Sequence, residues 1–84
     1  MAVVSFRFTR SADRSAQDRV LGRLKKLQGV KTVGRIDGDS PDEDISRMCF
    51  AETTSPEHAE SVLEHLQEAV GVEGASIESR RGLV

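Results

Sequence analysis

Hydrophobic and polar positions alternate at the start of the chain. From Ala2 to Phe8, Val4, Phe6 and Phe8 share one parity, and Val3, Ser5 and Arg7 share the other. A period of two predicts a strand with one face buried. From Ser15 to Gln28 the period changes: Ala16, Val20, Leu21, Leu24 and Leu27 recur at helical spacing, and Ser15-Ala-Gln-Asp18 has the form of a capping box. Gly29 supplies the left-handed stop for that helix. Residues 30–37 predict a second strand, in which Gly34 marks a bulge or a close backbone approach. A polar turn containing Pro41 runs from Gly38 to Asp44. Residues 45–53 predict a third strand, with Met48 and Phe50 on its buried side. The next helix has Ser55 as N-cap, Pro56 at its first position and Gly71 beyond its end. Its apolar set is Ala59, Val62, Leu63, Leu66, Ala69 and Val70. A fourth strand starts at Val72, with Ala75 and Ile77 on one face, and the tail runs from Ser79 to Val84.

The predicted order is βαββαβ, and the chain repeats itself. A shift of 42 residues, half its 84, lays Val3 on Ile45, Phe6 on Met48 and Phe8 on Phe50. The same shift lays Leu24 on Leu66 and Gly29-Val30 on Gly71-Val72. Such symmetry predicts an α+β ferredoxin-like sandwich: one four-stranded antiparallel sheet with two helices on one face. Residues 1–84 form a single domain of two pseudo-repeats, 1–42 and 43–84.

Charge is segregated. Residues 1–35 carry nine Lys or Arg against two Asp, whereas residues 36–78 carry twelve acids and one Arg. The first helix is basic (Arg14, Arg19, Arg23, Lys25, Lys26) and the second acidic (Glu57, Glu60, Glu64, Glu68). Side by side they would screen each other, or else form a dipolar surface that self-associates or steers a charged partner. A net charge of -2 argues against nucleic acid as a partner. There is no apolar run long enough to span a membrane and no basic-then-apolar leader at the N-terminus, so a cytoplasmic location is expected for the chain as it stands.

Candidate chemistry is sparse. The single cysteine, Cys49, excludes an internal disulfide and a multi-cysteine metal site. The loop after the first strand, Thr9 to Arg14, has no cysteine for a soft metal and no glycines for a phosphate cradle. It leaves only an anion site around Arg10 and Arg14. The acidic run Asp37 to Asp44 fails the calcium-loop pattern, with Asp42 where glycine is required and Met48 where the bidentate acid belongs. His58 and His65 are seven residues apart on one helix, about 10 Å along its axis, too far to share a metal. No nucleophile–base–orienter set can be assembled, so the chain reads as non-enzymatic, with no cofactor or metal.

A sheet covered on one side leaves an open face. On the predicted facing it carries Val3, Ser5, Arg7, Arg47, Cys49 and Ala51, with Ser76 and Glu78, a surface suited to docking another protein. The stretch from Ala59 through Ser61-Val-Leu-Glu-His-Leu66 to Gly71-Val-Glu-Gly-Ala-Ser-Ile-Glu78 resembles the second half of subtilisin-propeptide-like inhibitors, and Val3-Val-Ser-Phe-Arg-Phe8 resembles their opening strand. That resemblance implies a protease inhibitor or folding chaperone whose open sheet face packs on two helices of a subtilisin-type protease. Ser79, Arg80, Arg81, Gly82, Leu83 and Val84 would lie in the substrate cleft, with Val84 in the primary specificity pocket. Two other roles fit the same layout. One is a regulatory or assembly domain that forms a homodimer; the other is a peptide-binding maturation chaperone.

Overall fold

Phe6 and Phe8 decide where the core lies. Their rings meet edge to face, centroids 5.6 Å apart at 85°, and both are buried. A computed structural model describes residues 2–79 and places these rings between a sheet and two helices. The elements are β1 (Ala2–Phe8), α1 (Arg14–Lys25), β2 (Val30–Arg35), α2 (Glu43–Ser46), β3 (Met48–Thr53), α3 (Pro56–Glu68) and β4 (Val72–Ser79). The strands form one antiparallel sheet in the order β2-β3-β1-β4. This is the ferredoxin-like α+β two-layer sandwich, with the one-turn α2 added between β2 and β3. Leu21 and Leu24 of α1 and Ala59, Val62 and Leu66 of α3 close the core over Val4, Phe6 and Phe8.

Internal symmetry is written into the backbone at two glycines. Gly29 and Gly71 both hold positive φ, +84° and +91°, and each is followed by the valine that opens the next strand. Each also receives a hydrogen bond from the other half: Thr54 N–H donates to Gly29 O at 2.9 Å, and Thr9 N–H to Gly71 O at 2.8 Å. Gly29 is constrained twice, because a Cβ there would fall 2.2 Å from the His58 ring.

Several expectations are corrected. The first helix begins one residue earlier, capped by Asp13, whose carboxylate accepts from Ala16 N–H at 2.8 Å; Ser15 is not the cap. Gln17, polar but on the inner face, is buried because its amide donates to Ala12 O and accepts from Arg35. Gly34 is not a bulge; it lies opposite Phe50 in regular register. Register shifts lie elsewhere: within β2 between Val30 and Thr32, and in β4, where Gly74 at φ +65° falls at the extra residue opposite Ser5 and Arg7 of β1. Residues 43–46 are helical because Asp42 caps them, accepting from Asp44 and Ile45 N–H, and acids fill the first turn. β3 therefore starts at Met48, not at residue 45. Val70, expected in the core, is 95% exposed, since α3 ends at Glu68.

The largest correction concerns the facing of β3. Phe6 pairs with Cys49, Val4 with Ala51 and Ala2 with Thr53, so Cys49 and Ala51 lie in the core and are fully buried. Met48 and Phe50 face the opposite way. The link from strand to helix explains it: residues 9–13 join β1 to α1, but only 54–55 join β3 to α3. The shift of 42 aligns the helices and their glycines, whereas the strands align at 45. An odd difference of three moves every side chain to the other face. Volume agrees, because Phe6 and Phe8 fill the layer and leave room beneath β3 only for small residues.

Candidate functional site: the open face of the sheet

The uncovered face is built from cross-strand rows. Gly34, Phe50, Ser5 and Ser76 form the middle row across β2, β3, β1 and β4. The Phe50 ring lies across Gly34, 3.5 Å from where a Cβ would stand, so the missing side chain makes room for the ring. One row away, Glu52 and Glu78 flank Val3 on either side, roughly 10 Å apart at strand spacing. In the other direction Arg7 pairs with Glu73 at 2.9 Å, beside Met48. Val3, Ser5, Ile36, Phe50, Glu52 and Glu78 line a shallow depression of about 260 Å³. It is smaller than the ~300–1,000 Å³ of small-molecule sites, so it suits a side chain of a macromolecular partner better than a buried ligand. Ile36, 53% exposed, stands at its rim.

Of the residues expected on this face, Val3, Ser5, Arg7, Ser76 and Glu78 are there, although Val3 is itself buried at 5% exposure. Arg47, Cys49 and Ala51 are not. Arg47 caps α2, and its guanidinium donates to Phe8 O at 2.8 Å and to Glu43 O at 3.0 Å and pairs with Asp44, tying α2 to the end of β1. Phe50, Met48, Ile36 and Glu52 take the vacated places. Comparing the lengths of the two strand-to-helix links would have found Phe50; apolar periodicity alone could not. Ser79, assigned to the tail, is the last residue of β4 and pairs with Ala2. Arg80, Arg81, Gly82, Leu83 and Val84 lie outside the described residues.

Other candidate groups serve the fold. Burial pushes the Cys49 thiol up to about 11, against the opposing pull of the Arg35 guanidinium, so a thiolate is disfavoured at neutral pH. His58 Nδ1 shares hydrogen bonds with Ser55 Oγ at 2.8 Å and Thr54 Oγ1 at 3.2 Å, while Ser55 Oγ accepts from His58 N–H. The ring stands over Gly29, so this Ser–His pair caps α3 and locks it to the turn after α1. Near Arg10 and Arg14 the N-terminus of α1 is already occupied by the Asp13 carboxylate, which leaves little for an external anion. Among the described residues no three His, Cys, Asp or Glu gather as a metal site, and no helix is long and apolar enough to cross a membrane. No family model matches the chain, and no curated protein is significantly similar to it.

Proposed function

We propose that the chain is a non-enzymatic protein-binding module that docks through its open sheet face, acting as a propeptide-like inhibitor or folding chaperone of a subtilisin-type serine protease. The observation that carries this reading is the middle of that face, where Phe50 lies over Gly34 beside Val3 and Ile36 and, among the described residues, no helix or strand lies above it. An aromatic anchor in a shallow depression, rimmed by polar side chains, is the anatomy of a protein interface. Glu52 and Glu78 suit the N-terminal ends of helices on the partner, where negative charge is favoured. Residues 80–84 follow β4 in the sequence, and on this reading they are the part that enters the partner's substrate cleft.

The same half-buried Phe50 could stack a nucleotide base, as on RNA-binding sheets of this topology. Among the described residues of this face, three carboxylates, Glu52, Glu73 and Glu78, against Arg7 oppose a polyanion there.

The test is residual subtilisin activity against increasing amounts of the purified chain. Saturable inhibition is expected, abolished in a chain ending at Glu78 and weakened roughly tenfold or more by Phe50→Ala. Inhibition that ignores Phe50→Ala would remove the sheet face from the mechanism, and no inhibition would remove this protease as the target.

A further inference from the structure

The opposite surface of the molecule carries a second, independent arrangement. α1 and α3 run antiparallel: the groove between them brings Ala16, Arg19, Val20 and Arg23 beside Glu68, Ala69 and Val70, and Gly29 meets His58 at the other end. In that frame Arg19 is level with Glu68, Arg23 with Glu64, and Lys26 with Glu60. All six are exposed. Among the described residues no ion pair joins the two helices, and the pairs present are Arg7–Glu73, Arg35–Asp18 and Arg47–Asp44. Mutual screening by direct contact, one expectation for these rows, is therefore not what they do. The groove of about 360 Å³ keeps them apart, and its apolar lining of Ala16, Val20, Ala69 and the 95%-exposed Val70 is left uncovered.

We propose that this helical face is the interface of a homodimer, formed by a second copy of the chain related by a twofold axis running along the groove. Such an axis keeps each residue at its own level and exchanges left for right. α1 of one copy then lies antiparallel on α3 of its mate, and Arg19, Arg23 and Lys26 meet Glu68, Glu64 and Glu60 twice over. The apolar strip of the groove falls on the axis and is covered by the same strip of the other copy. A rotation of this kind closes at two copies, as an isologous contact must. Charge complementarity selects the second copy as occupant: a basic row and an acidic row at matched levels on one surface are complementary to that surface turned over. The sheet face stays free, so dimerisation does not depend on the proposed docking role.

The test measures mass in solution by sedimentation equilibrium, at about 50 mM and about 500 mM salt. The wild-type chain is expected to dimerise, with an affinity roughly tenfold or more weaker in the higher salt. Arg19→Glu with Arg23→Glu makes both rows acidic, and Glu64→Arg with Glu68→Arg makes both basic. Each variant alone is expected to be monomeric with an unchanged circular dichroism spectrum, and an equimolar mixture of the two to recover a mixed dimer. All these positions are exposed, so the fold should tolerate them. A wild-type chain that sediments at 9.2 kDa in low salt overturns the proposal. So does a dimer indifferent to both reversals, which would belong to a sheet edge or to the sheet face, and so does failure of the mixture to associate.

Discussion

The two halves of the molecule agree from helix to strand and disagree from strand to helix. Gly29 and Gly71 occupy equivalent places, share the left-handed conformation and accept equivalent hydrogen bonds from the opposite half. The strands before the helices are not equivalent in the same register. β1 delivers Val4, Phe6 and Phe8 to the core; β3 delivers Cys49, Ala51 and Thr53. The small residues of one strand are the complement of the large residues of its neighbour, so symmetry of backbone coexists with asymmetry of volume. A repeat therefore constrains topology more tightly than it constrains which side chain is inside.

Phe8 and Thr53 are the most lopsided of the equivalent positions in the two halves. Phe8→Ala should cost about 3–5 kcal/mol in denaturant unfolding, enough to threaten a domain this small. Thr53→Val, nearly the same shape, should cost about 1–2 kcal/mol, because the Thr53 hydroxyl sits 2.9 Å from Ala2 O and 3.1 Å from Ser55 O. If the two costs were equal, the core would not be carried by β1.

The glycines should separate next. Gly29→Ala and Gly71→Ala both force a left-handed alanine, about 1–2 kcal/mol each. Gly29→Ala additionally drives a Cβ into the His58 ring, whereas at Gly71 the nearest atom is Ala12 Cβ at 3.1 Å. Gly29→Ala should be the worse, and His58→Ala in its background should recover the difference. Additivity of the two changes would show that ring and glycine do not touch.

The facing of β3 can be read by pH. The native Cys49 thiol keeps its proton up to about 11, while the unfolded chain releases it near the ordinary 9.0. Between those values the native state holds more protons than the unfolded state, so stability falls as pH rises from about 9 to about 11 and is unaffected by this group below. Cys49→Ala should flatten that limb of the profile. A thiol that reacts freely with a disulfide reagent in the folded state would return Cys49 to the open face. The smallest stability effect belongs to Phe50→Ala, about 1 kcal/mol, since Phe50 is half-buried on the open face and outside the core between sheet and helices. There the change should appear in partner binding and not in unfolding.

Much was legible beforehand because it depends on local chemistry. The Ser55-Pro56 start of α3, the glycine–valine pairs, the element order and the burial of Phe6 and Phe8 follow from caps, punctuation and period. α2 was missed because Ile45 and Met48 look like strand residues; Asp42 overrides them by capping a turn. On the open face Val3, Ser5 and Arg7 were legible from the alternation of β1, but Phe50 was not. Alternation says that neighbours face opposite ways; it does not say which way. On β3, where both parities carry apolar residues, the two choices read alike.

Local chemistry in the sequence set the order of the four strands and two long helices and the Ser55 cap of α3, since each rests on residues within a few positions of one another, and the 42-residue repeat set the twofold plan. The tertiary structure alone decided which face of β3 is buried and that Arg47 serves as an anchor. It alone decided that the basic and acidic helices stand apart. Those outcomes depend on volume and distance between segments tens of residues apart, where Phe6 excludes Phe50 from the core and a three-residue difference in link length turns the strand over.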